Sequence, residues 1–168
     1  MLRPYHQLRT RIDRFVESVF ARYSEQIACR PGCWQCCSGG LTLVMVEAVV
    51  VGRALGIEAE RVHLQAGQPP LREDGYCKLL NDDNRCVIYQ DRPLICRTQG
   101  MPLKYPGVEV SICDLNFVGI EPHNSAVFDM DNLETALFAA NLDYCQRMGL
   151  HPMSRVAIDR LAQLAGID

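Results

Sequence analysis

The chain has 168 residues, a net charge of −3, 48% apolar residues and 22% charged ones. That length and balance fit one folded domain with its own core (residues 1–168) and argue against disorder. No basic block stands out to neutralise phosphates, which argues against a nucleic-acid binder. No stretch approaches the roughly 18 uninterrupted apolar residues of a membrane span; the longest run, Leu43 to Val51, is broken by Glu47 and ended by Gly52.

From Pro4 to Ile27 the apolar residues Tyr5, Leu8, Ile12, Phe15, Val16, Val19, Phe20, Tyr23 and Ile27 recur at steps of three and four. This predicts a long amphipathic helix (4–28 with its exit), stopped by Arg30-Pro31-Gly32. A short strand at Leu41 to Leu43 precedes a helix from about Met45 to Leu55, with Gly56 past its end. Glu58 to Gln65 adds a helical piece, and Gly67 to Gly75 is a polar loop. Tyr76 to Leu80 and Arg85 to Tyr89 flank Asn81-Asp82-Asp83-Asn84, whose turn chemistry predicts a hairpin. Asp91-Arg92-Pro93 predicts a helix start, and Pro106-Gly107 joins a second hairpin that ends near Cys113. Residues 131–165 carry two further helices. The first runs from about Asn132 to Met148, capped by Asp131 and ended by Gly149; the second is capped by Ser154. The expected fold is α+β and mainly helical: a helical body with small β-hairpins around a cysteine-rich loop.

The thiols are the informative feature. Cys29, Cys33, Cys36 and Cys37 lie in one nine-residue loop, followed by Cys77, Cys86, Cys96 and Cys113. Thiolates are soft ligands, and such density is what zinc or an iron–sulfur cluster requires. Arg3, Arg9, Arg11 and Arg14 have no apolar segment behind them, so no secretory signal is expected and a cytoplasmic location follows. An odd count of nine cysteines in a reducing compartment argues against a disulfide framework.

Pro31 and Gly32 let the loop turn sharply, so three of its thiols can wrap one centre. Neighbouring side chains diverge, which leaves three readings of Cys36 and Cys37. They serve two adjacent metals, one of them faces the core, or they form a strained vicinal disulfide. Opposite ends of a hairpin converge, so Cys77 and Cys86 can complete a site begun by the loop. Cys145 falls on the apolar face of a helix and is expected in the core. Thiolate charge needs compensation; Arg30, Arg85 and Arg97 adjoin cysteines, and Arg97 is the preferred partner of the site.

Together CRPGCWQCC (29–37) and GYCKLLNDDNRCVIYQDRPLICR (75–97) resemble the two blocks of the CxxCxxCC cysteine-cluster family, a domain to which zinc or iron chelation is ascribed. CDLNF (113–117) is similar to one branch of it. The resemblance implies that Cys29, Cys33, Cys36, Cys37, Cys77, Cys86 and Cys96 are the chelating set, with Cys113 an eighth. Three residues separate the first two thiols here, where the family's name has two.

Zinc ribbons present paired knuckles, whereas thiols scattered over several elements suit a polynuclear cluster. The expected cofactor is therefore an iron–sulfur cluster, of the four-iron type, ahead of zinc. A metal-binding protein with a structural, redox or metal- and sulfur-carrier role is the leading reading. An iron–sulfur enzyme with an open coordination position is the alternative. A protein partner docked on the first helix is a further expectation.

Overall fold

The computed structural model describes residues 1–71 and 75–167. The first helix, α1, spans Arg3–Arg22 with Pro4 in its first turn, and it buries Tyr5, Leu8, Ile12 and Val19. It ends five residues earlier than its periodicity predicts. Tertiary contacts capture the chain there: Tyr23 meets the Phe117 ring edge-on at 5.1 Å, and the Phe117 N–H donates to the Gln26 carbonyl at 2.8 Å. Cys29 consequently lies in extended chain beyond a turn, not at the helix exit.

The centre of the body is α2, Met45–Ala54, preceded by strand β1, Thr42–Val44. Every residue from Met45 to Gly52 is buried, Glu47 included. A helix that is apolar all round has to be surrounded. Around it stand α3 (Ala59–His63), α5 (Met130–Met148) and α6 (Ile158–Leu164). Asn141 of α5 accepts the Val46 N–H at 3.1 Å, so the first turn of α2 finds a partner inside the body. Cys145 is buried beside Asn141, as its helical position predicts.

Two expectations about the C-terminal part are corrected. Helix α5 is capped by Asp129, which accepts the Asn132 N–H at 3.1 Å, rather than by Asp131. Gly149 ends it in a left-handed conformation as expected, with φ 67°. Ser154 caps nothing. Residues Arg155–Ala157 form strand β4, antiparallel to β1 in the register Thr42 to Ala157, Leu43 to Val156 and Val44 to Arg155. Val156 therefore sits on a strand, because β1 offers its backbone a partner that a local reading cannot see.

The hairpins are smaller than predicted. Between residues 76 and 89 the chain makes turns, joined by a single bridge, Leu80 to Cys86. The Asn81 side chain accepts the Asp83 and Arg85 N–H groups, which is how this turn closes. The second hairpin persists as a reciprocal bridge, Leu103 with Ser111. Leu103–Lys104 (β2) also pairs in parallel with Phe128–Asp129 (β3). A short helix α4, Leu94–Thr98, follows a 3-10 turn at Tyr89–Asp91 and packs on α1. The fold is α+β and mainly helical. The thiol-bearing segments form an irregular layer at one side of the body.

Candidate metal centre

The loop carrying the first four thiols is a pair of consecutive turns. The Cys33 N–H donates to the Arg30 carbonyl at 2.9 Å around Pro31-Gly32, and the Cys37 N–H donates to the Trp34 carbonyl at 2.8 Å. The loop is then stitched to the second block. Cys77 N–H donates to the Cys37 carbonyl at 2.9 Å, Gly39 N–H to the Gly75 carbonyl at 2.8 Å, and Trp34 meets Tyr76 edge-on at 4.7 Å. Leu80 and Cys86 are bridged across the turn that follows Cys77. Helix α4 brings in Cys96.

These connections place Cys33, Cys36, Cys37, Cys77, Cys86 and Cys96 around one cavity of about 120 Å³. Its walls include Leu41, Leu79, Ile88, Ile95 and Ile158, and Arg92 supplies the positive charge. Cys29 and Cys113 lie outside that lining, beside Asn116. Asn116 is buried. Its Nδ2 donates to the Gly100 carbonyl at 2.6 Å and toward Cys29 Sγ at 3.4 Å, and its Oδ1 accepts the Ala28 N–H at 2.8 Å. The Asn116 N–H in turn donates to the Cys113 carbonyl at 2.8 Å.

No disulfide joins any of the nine cysteines. Contact with the neighbouring Cys37 thiol, opposed by burial and aided by the charge of Arg92, lowers Cys36 to about 6. The same contact, with burial, pushes Cys37 up. Burial raises Cys77 and Cys86, and it lifts Cys96 to about 12, with the charges of Cys77 and Glu47 adding to it. Burial also raises Cys29, against the hydrogen bond from Asn116.

Among the described residues, no three His, Cys, Asp or Glu side chains stand close enough as placed to hold a metal ion. The donor set nevertheless fits a thiophilic metal: six soft ligands face one cavity with apolar walls and a single cation. A metal there would draw its ligands from Cys33, Cys36, Cys37, Cys77, Cys86 and Cys96.

Of the arginines expected to offset thiolate charge, Arg30 and Arg85 are exposed. Arg97 is buried and turned to α1, donating to Asp13 Oδ1 at 2.7 Å, to the Arg92 carbonyl at 2.9 Å and to the Gln90 carbonyl. The cation lining the cavity is Arg92, with its guanidinium 3.7 Å from the centroid of the Tyr89 ring. The local pattern pointed to Arg97 because it adjoins Cys96, but consecutive helical residues face different ways.

Glu47 and Asn116 were also missed. A lone carboxylate inside an apolar run was the available signal for the first. For Asn116 it was the short distance in sequence from Cys113. Gly100 belongs with them: its φ is +89°, and a methyl there would collide with Cys29 Sγ and come within 3.1 Å of Asn116 Nδ2. Gly100→Ala is expected to destabilise the chain by about 2–4 kcal/mol, combining left-handed strain with overpacking. Urea denaturation would check it, and a change within about 0.5 kcal/mol would contradict this packing.

The geometry is that of a small helical domain with a thiol-lined cavity. The family model CxxCxxCC, described as a "Putative zinc- or iron-chelating domain", matches residues 28–114, more than half of the chain. This protein belongs to the CxxCxxCC family. No curated protein and no solved structure matches it. No helix among the described residues is long and apolar enough to cross a membrane.

Proposed function

We propose that this is a cytoplasmic metal-binding protein that holds an iron–sulfur cluster, in preference to zinc, through its clustered thiolates. The observation that carries the reading is the cavity lined by six cysteines. Its volume of about 120 Å³ is several times what one water-sized sphere needs, roughly 10–15 Å³, and more than a lone ion requires. Arg92 at its wall offsets the negative charge that bound thiolates would leave in a half-buried place. A cluster would supply one-electron chemistry or inorganic sulfur; zinc would supply only a cross-link. The role is accordingly structural, redox or carrier.

Anaerobic purification with metal and sulfide analysis tests the reading. Brown protein absorbing near 400 nm, with iron and acid-labile sulfide in equal amounts, is the expected result. Stoichiometric zinc without sulfide would replace the cluster by a structural ion, and metal-free protein after anaerobic purification would sink both.

The exposure of Cys36, unlike its half-buried neighbours, favours a second reading. If only three thiolates held the cluster, one position would stay open for a substrate, and the protein would be an iron–sulfur enzyme. Small anions or thiols added to the anaerobic protein would then perturb its spectrum. A spectrum indifferent to them would mean a closed centre.

A further inference from the structure

The cavity has more thiols than one tetrahedral centre uses, while two others stand outside it. We propose that the eight thiols form two four-thiolate centres: Cys37, Cys77, Cys86 and Cys96 at the cavity, and Cys29, Cys33, Cys36 and Cys113 as a second site for a thiophilic metal beside Asn116 and Gly100. The proposal rests on the metal-binding reading above and deepens it.

Four thiolates complete a tetrahedral site. The six cysteines of the cavity exceed that by two, and Cys29 with Cys113 makes up a second four. Backbone pairing decides which members of the 29–37 loop belong to the cavity. Cys37 is tied to Cys77 by the 2.9 Å hydrogen bond between their backbones and by the adjoining Ser38–Tyr76 bridge. The turn after Cys77 is closed by the Leu80–Cys86 bridge, and Cys77, Cys86 and Cys96 of α4 all line the cavity. No comparable backbone tie draws Cys33 or Cys36 to this block among the described residues.

The other side has its own organiser. Asn116 touches Cys29 Sγ through Nδ2 at 3.4 Å and holds the Cys113 carbonyl through its N–H at 2.8 Å. Its Oδ1 fixes the Ala28 N–H just ahead of Cys29. Cys36 and Cys113 line one surface depression of about 290 Å³ with Gln99 and Gly100. An amide N–H aimed at sulfur stabilises a thiolate, which a merely packed thiol has no use for.

Anaerobic titration of the reduced, metal-free full chain with Co²⁺ reads the number of centres, through thiolate charge-transfer and tetrahedral d–d absorption. The expected result is two equivalents bound by the unaltered chain. Cys29→Ser/Cys113→Ser and Cys77→Ser/Cys96→Ser should each keep one, a twofold fall. Saturation at one equivalent, or loss of all binding in the Cys29→Ser/Cys113→Ser chain, would overturn the partition. The count on the unaltered chain stands even if a variant fails to fold. Two cobalt sites in a protein that purifies without sulfide would sustain the partition while removing the cluster. No cobalt uptake at all would remove both.

Discussion

Stripping the metal from loaded protein is expected to open residues 29–40 and 76–117 while α1, α2, α5 and α6 keep their packing. The helices bury Tyr5, Ile12, Met45, Val49, Leu161 and Tyr144 in one continuous cluster, against which Cys29, Cys77 and Cys86 pack. The thiol-bearing layer has little regular structure: three isolated bridges, the two-residue strand β2, a 3-10 turn, a five-residue helix and other turns. Its order must come from elsewhere, and metal ligation can contribute apparent free energy on the order of 10 kcal/mol. Hydrogen exchange with and without chelator would locate the loss. Equal protection of the Cys37 and Cys77 amides in both states would show that the layer stands without metal. Uptake should also weaken as pH falls. Burial holds Cys77, Cys86 and Cys96 protonated, Cys96 up to about 12, so binding must expel protons.

Glu47→Leu is expected to cost about 3–5 kcal/mol and to loosen α4. Glu47 Oε1 accepts the Leu94 N–H at 2.7 Å, in the first turn of the helix that carries Cys96, and the Tyr5 hydroxyl at 3.3 Å. Leucine fills the space but leaves two buried donors without a partner, each worth about 1–3 kcal/mol. Glu47→Gln keeps the accepting oxygen and separates charge from hydrogen bonding. Burial raises the Glu47 carboxyl above its ordinary value of 4.5, against the hydrogen bonds from Leu94 and Tyr5. The folded state therefore binds the proton more tightly than the unfolded chain does. The resulting stabilisation is full below pH 4.5 and is lost as pH rises through the folded value. Urea midpoints across that range should fall with pH for the native chain, and this component should vanish in Glu47→Gln. Parallel slopes in the two proteins would refute the assignment.

Much of the helical body was legible because periodicity is a local property. The inward residues of α1, the buried run of α2 and the glycine stop of α5 follow from neighbours within one or two turns. Errors fell where a partner distant in sequence decided the outcome. Arg155–Ala157 became a strand because β1 lies alongside it, 113 residues away at Thr42 and Arg155. The early end of α1 reflects Phe117 in the same way.

The chain's own order of residues determined the family: the eight thiols from Cys29 to Cys113 mark a CxxCxxCC domain whatever the fold does with them. Only the tertiary structure decided which sulfurs share a neighbourhood. Backbone pairing ties Cys37 to Cys77 and Leu80 to Cys86, while Asn116 touches Cys29 Sγ and the Cys113 carbonyl. The reason is physical. Ligand type is carried by each residue alone, but ligand grouping depends on distances between segments that meet only after the helices have packed.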